Sequence, residues 1–325
     1  VGLVMGSALA VGPIISGIVL KFTTWQGLFV IFAIIITLVF LLSFKFIANV
    51  MSLKLDRLDF ISVFSSLGLI GLLFVINQLG KTGVNWTNQF GLLAVSLVML
   101  AYFVFRQFHI KTPILELRVL KTFNYDLAVL LTGFSYIALI VTTIIFPLYY
   151  QEVLKLSPFA SGMSLVPGAV FLSLLNPVTG KLADRFGFKR VLLIGMSMIT
   201  IGWGILFVFS SELNLIGMVI LSMLIEGGNA FVMMPAMTLG ANSLPDSLIA
   251  HGTAVITTVR QILGSLGVAV ATIILTAITQ SELTKGSHVE VATQMGYRAV
   301  FFTFFLVEVV GLLLSILIKN SEKKG

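Results

Sequence analysis

The densest run of charge in the chain lies at residues 180–190, which read Gly-Lys-Leu-Ala-Asp-Arg-Phe-Gly-Phe-Lys-Arg. Long apolar stretches flank this run on both sides, and its cations surround a single acid, Asp184. A short charged loop between two apolar helices is typical of a cytoplasmic hairpin in a membrane protein. We therefore predict that one helix ends at Gly180 and that Gly187 opens the turn into the next, with Asp184 capping the amides exposed there.

Composition excludes a soluble globular domain, because 58% of the residues are hydrophobic and only 10% are charged. The net charge of +7 does not indicate nucleic-acid binding, because the cations lie in short loops between apolar stretches rather than on one basic face. Cysteine is absent and the histidines share no metal-ligand spacing, so we predict no metal and no cofactor. Without a nucleophile constellation or a nucleotide-binding loop, we also expect no enzyme.

The distribution of apolar residues predicts an all-α membrane protein with about ten transmembrane helices, since each span needs about 20 mostly apolar residues. The chain opens with Val1 inside an apolar run, so we expect it to be the C-terminal part of a longer protein. The predicted spans lie near residues 2–20, 26–47, 60–79, 88–106, 127–149, 158–179, 190–210, 214–239, 252–279 and 297–318.

The basic residues predict the orientation of these spans. With residues 180–190 in the cytoplasm and the spans alternating, most of the 20 basic residues fall on the cytoplasmic side, as the positive-inside rule requires. The C-terminus is then cytoplasmic. The longest polar connection, residues 107–126, is predicted to lie as an amphipathic segment on the membrane surface.

Two spans are interrupted by helix-breaking residues. The span at 158–179 contains Pro167 and Pro177 beside Asn176, and the span at 214–239 contains a Gly-Gly pair and Pro235. A pair of Gly- and Pro-broken spans is a sequence indication of a transporter binding site. The alternative is that these residues only kink packed helices.

Ionisable residues inside a span are energetically costly and are therefore functional candidates. Glu226 has Asn229 and Met233 on the same helical face, which suits the handling of protons or of a cationic substrate. A structural role beside a nearby cation is the alternative. For Glu308, the expectations are proton coupling or, as the favoured alternative, a hydrogen bond to a neighbouring helix.

Arg260 is the third ionisable residue within a span, and it remains charged at any physiological pH. We expect it to organise charge, with pairing to an acid or to helix carbonyls as the structural alternative, and Gln261 beside it suits close packing. Phe146, Tyr150 and Met233 are candidates for a deformable apolar pocket. Aromatic and methionine side chains in a membrane helix more often serve packing or lipid contact.

Several motifs resemble those of the major facilitator superfamily. Gly180-x-Leu-Ala-Asp184-Arg185-x-Gly187, followed by Lys-Arg190, resembles the signature loop of that family, with Phe188 where a basic residue is common. Gly12-Pro13-x-x-Ser-Gly17 resembles its antiporter motif, with serine replacing one glycine. Together with Pro147–Gln151 and Arg260–Gly267, these motifs are similar to the fourteen-helix drug:proton antiporter branch.

The resemblance implies the major facilitator fold and a division of the chain into four parts. The first four helices of a fourteen-helix protein would precede Val1. The implied parts are residues 1–47 as the last two helices of an N-terminal bundle, 48–106 as an extra pair of helices, 107–126 as a cytoplasmic connection, and 127–325 as a C-terminal six-helix bundle.

The function that the resemblance implies is proton-coupled multidrug efflux by alternating access in a bacterial plasma membrane, which leads to antibiotic resistance. The implied partners are protons, small amphipathic or cationic drugs and membrane lipid, and we expect a monomer. The signature loop is thought to act in this family as a latch. Alternatives are a single-solute porter for a metabolite or sugar, or a non-transporting membrane scaffold or sensor.

Overall fold

A computed structural model of the chain describes residues 12, 15–19, 22–46, 59–78, 84–110 and 113–319. Its regular structure is helical throughout these residues. The first part of the chain contains α1 Trp25–Phe46, α2 Phe60–Gln78, α3 Trp86–His109 and a short 3-10 helix, Leu117–Lys121. The remainder contains α4 Phe123–Glu152, α5 Pro158–Met163, α6 Val166–Phe186, α7 Phe188–Phe209, α8 Leu215–Asn242, a 3-10 turn at Asp246–Leu248, α9 Ile249–Thr284 and α10 Val289–Ile316.

The helices confirm the predicted all-α membrane fold. In the described part of the chain, 8 helical segments are long and apolar enough to cross a membrane. Helix α2 contributes a shorter apolar helical stretch, Phe60–Ile76. The predicted spans from 26–47 onward each overlap one of these segments. The predicted span 2–20 lies largely outside the described residues, of which residues 12 and 15–19 are helical.

The charged run at 180–190 is almost entirely helical, so the predicted end of a helix at Gly180 is wrong. Helix α6 continues through Gly180 to Phe186, because Lys, Leu and Ala follow this glycine and all favour a helix. The break falls at Gly187, whose φ of 89° is accessible to glycine and costly for other residues. Helix α7 begins at the next residue, Phe188.

The two interrupted spans differ in the structure. The first divides into α5 and α6 at residues 164–165, with Pro167 in the first turn of α6, where its missing N–H costs no helical hydrogen bond. The second, α8, continues without a break through Gly227, Gly228 and Pro235. The prediction of an interrupted helix is therefore confirmed for one span and wrong for the other.

The core of the protein lies among α4, α7, α8 and α10. Helix α4 packs against α8, α9 and α10, and its inward face is buried over most of its length. Edge-to-face and tilted ring contacts join Phe146 of α4 to Trp203 of α7 and Phe301 of α10. Such contacts favour a fixed arrangement of rings over loose apolar contact.

Helices α2 and α3 form a hairpin closed by a polar cluster at one end. Arg106 Nε and Nη2 each donate to a carboxylate oxygen of Asp59 at 2.8 Å, and Ser62 also donates to Asp59. Gln107 donates to Ser62 Oγ at 2.8 Å and accepts from the backbone N–H of Leu115 at 3.0 Å. The cluster therefore connects the hairpin to the segment that leads into α4.

The connection at 107–126 packs against the bundle as well. It includes the end of α3, the 3-10 helix and the start of α4. Leu117 and Val119 are buried in a cluster with Tyr125, Val255 and Ile256, whereas Arg118 keeps an exposed side chain. One face of the segment is thus apolar and covered by α4 and α9, and its predicted position on the membrane surface stays a prediction.

Asp59→Asn should loosen the hairpin without changing the packing of α4 against α8, α9 and α10. The Arg106 guanidinium holds the pKa of the Asp59 carboxyl well below its usual range. A carboxyl group whose pKa is lower in the folded state than in the unfolded state stabilises the fold at pH values above its unfolded-state pKa. This stabilisation is lost as the pH falls through the folded-state pKa. The ion pair should therefore persist unchanged from about pH 5 to 8. Hydrogen exchange at the start of α2 should be faster in the variant throughout this range.

The matched control for this variant is Asp246→Asn, because Asp246 is exposed in a turn and takes part in none of the described ion pairs. Its exchange pattern in α2 and α3 should equal that of the unmodified protein. Equal protection of α2 in Asp59→Asn and in the unmodified protein would show that the ion pair does not hold the hairpin together.

Candidate functional site

Glu226 lies near the middle of α8 and is enclosed by a neighbouring helix. Its exposed fraction is 6%. Helix α6 crosses close to it at Gly168, where a methyl group would come within 3.2 Å of Glu226 Cγ and 2.7 Å of Ser222 Oγ. A side chain larger than hydrogen at Gly168 would therefore displace the Ser222 hydroxyl and crowd the acid.

A chain of hydrogen bonds connects this acid to α4. Ser135 Oγ on α4 donates to Asn229 Oδ1 at 2.7 Å, and Asn229 Nδ2 donates to Glu226 Oε2 at 3.4 Å. The first bond is short and the second is long, so the carboxyl group is only loosely held. Asn229 is fully buried. The predicted pairing of Glu226 with Asn229 on one helical face is thus present, and Ser135 extends it to a second helix.

Met233 and Asn176 lie on α8 and α6, the two helices that approach each other at Glu226. Met233 is half-buried one turn beyond Asn229 on α8. Asn176 is buried on α6, and the neighbouring Thr179 donates to the carbonyl oxygen of Ala230 at 2.9 Å. The part of α6 that carries Thr179 therefore lies beside α8.

Glu308 is the second acid inside the bundle, and its carboxyl group has no hydrogen-bond partner within the described ranges. It is fully buried on α10, and neither Oε1 nor Oε2 has a hydrogen-bond partner among the described residues. Only its backbone oxygen accepts a bond, from Thr200 Oγ1 at 3.2 Å. Its side chain is one turn from Phe304 and Gly311, which pack against apolar groups of α4 and α7. The favoured expectation, a hydrogen bond to a neighbouring helix, is therefore met by the backbone of Glu308 and not by its carboxyl group.

Arg260 on α9 has soft, neutral neighbours. Its guanidinium carbon lies 5.2 Å from the ring centroid of Tyr136, and Nη1 lies 3.9 Å from Met237 Sδ. Nε has no hydrogen-bond partner within the described ranges. The predicted pairing with an acid or a helix carbonyl is absent there. Gln261, beside Arg260, is exposed.

The predicted pocket residues lie in two environments. Phe146 and Tyr150 are fully buried and their rings contact each other, with centroids 6.2 Å apart. Met233 is half-buried on α8. The two aromatic rings thus contribute to the core of the bundle, and their contact with a substrate stays a prediction.

The signature loop places its charged residues at the two ends of adjoining helices. Asp184 and Arg185 lie in the exposed last turn of α6, and Arg190 is exposed in the first turn of α7. The residue before α7 is Gly187, which has no side chain, so no side-chain cap forms there. The prediction that Asp184 caps α7 is therefore wrong, because this acid still belongs to the preceding helix.

The antiporter-like motif is described at Gly12 and Gly17, whereas Pro13 lies outside the described residues. A methyl group at Gly17 would meet the Phe159 ring of α5 at 2.7 Å. At Gly12, a methyl group would meet nothing within 4 Å. The motif therefore approaches α5 at Gly17, where the absence of a side chain accommodates an aromatic ring.

Two features of the site were not predicted. Ser135 is 94 residues from its partner Asn229, and nothing in its local sequence distinguishes it from other serines and threonines in apolar helices. Gly168 follows Pro167, and the proline alone is sufficient to predict a local irregularity. Within the described ranges, no group of three or more His, Cys, Asp or Glu side chains could hold a metal ion.

The fold and the site define a membrane transporter built from packed spanning helices, with a buried acid between them. Comparison with known proteins agrees, because residues 1–268 match the description "Major Facilitator Superfamily". The chain belongs to this family, and it is accordingly a transporter and not an enzyme.

The relatives include bacterial resistance proteins and a bacterial MFS-type transporter. Lincomycin resistance protein LmrB of Listeria monocytogenes is 31% identical over 328 residues, covering 99% of this chain and 70% of LmrB. The uncharacterized MFS-type transporter YcnB of Bacillus subtilis is 32% identical over 324 residues, covering 99% of this chain and 68% of YcnB. The putative multidrug resistance protein MdtD of Escherichia coli is 24% identical over 281 residues, covering 81% and 56% of the two chains.

Proposed function

We propose that this chain belongs to a proton-coupled multidrug efflux antiporter of the fourteen-helix branch, working by alternating access. The observation that carries the proposal is the buried carboxyl group of Glu226, which α6 covers and which Asn229 and Ser135 connect to α4. An acid that is enclosed but only loosely bonded can exchange a proton when neighbouring helices move apart. The names of LmrB and MdtD support drugs as the class of solute.

The proposed route follows from the helices that surround the acid. Glu226 and Asn229 would bind a proton or a cationic group, with Asn176 on α6 adding a polar contact and Met233 an adaptable apolar one. Glu308 provides a second protonatable group in the bundle. Phe146 and Tyr150 are proposed to shape the apolar part of the site, and Arg260 with Gln261 would organise charge on α9.

The proposed gates are the two motifs. The run Gly180, Asp184, Arg185, Gly187 and Arg190 would act as a latch that is broken and remade as the two bundles rock. The contact of Gly17 with Phe159 supports the placement of the antiporter motif between bundles. The surplus of basic residues in alternate loops supports a cytoplasmic C-terminus. The bacterial relatives support a location in a bacterial plasma membrane, and we propose that the protein is a monomer there.

The proposal can be tested with the native protein in liposomes whose lumen is acidic and contains a trapped pH indicator. Adding lincomycin outside should raise the lumenal pH faster than in protein-free liposomes with the same gradient, because each drug molecule carried inward would release protons outward. Ethidium should give the same response through the same protein. A proton response to a single metabolite and to neither drug would instead favour the single-solute porter, and none to any solute would favour the scaffold.

A further inference from the structure

We propose that Arg260 forms a binding site for a carboxylate group of the transported solute. Arg260 has an exposed fraction of 4% and lies roughly 16 Å along α9 from the start of that helix. It cannot lose its charge at physiological pH. A buried guanidinium therefore requires an anion or several oxygen acceptors to offset its loss of hydration.

The neighbours of Arg260 do not supply that anion. A tyrosine ring and a thioether sulfur attract a cation weakly, and a cation–π contact offsets only part of the cost of burial. Nε, which belongs to the planar fork that binds carboxylates through two parallel bonds, has no partner among the described residues. The donors needed for a two-point contact with a carboxylate are thus present and at least one of them is unused.

None of the acids within the described ranges forms an ion pair with Arg260. Of the chain's 13 acidic residues, only Asp56 and Glu322 lie outside the described residues. The ion pairs among the described residues are Asp59 with Arg106, Glu116 with Arg118, and Glu282 with Lys285. The acids inside the bundle, Glu226 and Glu308, have other surroundings. A solute is the source of the carboxylate that we infer.

The position of Arg260 relates it to the proposed transport site. Its ring partner Tyr136 follows Ser135 directly on α4, and Ser135 begins the hydrogen-bond chain to Glu226. Its sulfur partner Met237 lies on α8, the helix that carries Glu226. Arg260 therefore contacts one residue of α4, and the hydrogen-bond chain to Glu226 begins at the residue before it. Solutes with both a cationic and a carboxylate group would match this arrangement, an inference that rests on the proposed function.

The cover over Arg260 suits a site that opens to ligands. Tyr136 and Met237 are both half-buried, in contrast to the fully buried rings of the core. Methionine has three rotatable bonds and adapts to differently shaped ligands. Displacement of these two side chains would expose the guanidinium fork without disturbing the packing around Trp203 and Phe301.

The test compares tetramethylrhodamine, which carries a free carboxylate, with its methyl ester, which does not. Binding to the native protein in detergent, without a proton gradient, is followed by fluorescence polarisation. Arg260→Gln should weaken binding of the acid about tenfold or more, because it removes a charge-assisted two-point contact. Binding of the ester should change less than about twofold, and Arg260→Lys should give an intermediate loss for the acid because it keeps charge without the fork.

The matched control is Arg298→Gln. Arg298 also stacks on an aromatic ring, with its guanidinium carbon 5.3 Å from the Phe207 centroid, but it is exposed on α10. This variant should bind both probes as the native protein does. An equal loss of acid and ester binding in Arg260→Gln would overturn the proposal, since it would mean that the arginine serves the structure or pairs with a carboxylate of the protein.

A second measurement covers the case in which Arg260→Gln does not fold. With the native protein, benzoate should displace tetramethylrhodamine, whereas benzamide, which has a similar shape and no charge, should not. Failure of benzoate to compete would overturn the proposal. Because both measurements are made at equilibrium without a gradient, they are independent of whether transport is coupled to protons.

Discussion

Glu226→Gln is expected to reduce lincomycin-driven proton movement to the level of protein-free liposomes. Glutamine has nearly the same size as glutamate and can still accept a hydrogen bond from Asn229 Nδ2, which lies 3.4 Å from Glu226 Oε2. It cannot bind and release a proton. The variant should therefore insert and fold normally, as judged by a single symmetric peak in size-exclusion chromatography, while losing proton coupling.

Two further variants test whether the loss is specific to the Glu226 carboxyl group. Glu226→Asp keeps the carboxyl group but moves it one methylene away from Asn229, so we expect a reduced but measurable response. Glu212→Gln is the matched control, because Glu212 is exposed in the turn between α7 and α8 and should be dispensable. Native rates in Glu226→Gln, with unchanged numbers of protons moved per drug molecule, would remove Glu226 from the mechanism.

Gly228→Ala is expected to give the largest loss of stability among single-methyl substitutions in the bundle. Helices α7 and α8 approach most closely at Gly195 and Gly228. A methyl group at Gly228 would lie 2.7 Å from the backbone oxygen of Gly195 and 2.6 Å from Ile199 Cγ1. Backbone atoms cannot rotate away, so the helices must separate. Overpacking of this kind costs about 1–3 kcal/mol, which for a chain of this length corresponds to a Tm lower by roughly 1–5 °C.

The Tm of the purified variant in detergent provides the measurement. Gly195→Ala should give a similar loss, because its methyl group would lie 2.8 Å from the Gly228 oxygen. Gly180→Ala is the control: this glycine is also within a helix, and a methyl group there meets nothing within 4 Å. Alanine should leave its Tm unchanged or raise it slightly. A native Tm in Gly228→Ala would show that α7 and α8 do not pack this closely.

Much of the fold was predictable because a membrane-spanning helix can be identified from its own run of residues. A run of about 20 apolar residues defines a span regardless of its neighbours. The helix ends were harder, as Gly180 shows: glycine is tolerated inside a helix when the residues after it favour helix, and only the φ of Gly187 reveals the true break. Sequence gives the types of residue at a turn, whereas the backbone decides which of two glycines makes it.

The acid of the site could be predicted from the sequence, whereas the residues that other helices bring to it could not. Glu226 and Asn229 lie three residues apart, so their contact follows from helical geometry. Ser135 and Gly168 reach the same acid from α4 and α6, and no local pattern indicates which face of those helices is turned toward α8. For Arg260, the general expectation that a buried cation pairs with an acid failed, because its neighbours are a ring and a sulfur atom.

The α2–α3 hairpin has a consequence for how such proteins diversify. Its two helices pack mainly on each other, with Gly68 close to the Ser96 backbone, and its polar cluster is contained between Asp59 and Leu115. Two successive spans return the chain to the side of the membrane from which it left. Gain or loss of such a hairpin would therefore preserve the sidedness of every later helix. Insertion of an even number of spans therefore leaves the topology of the rest of the protein unchanged.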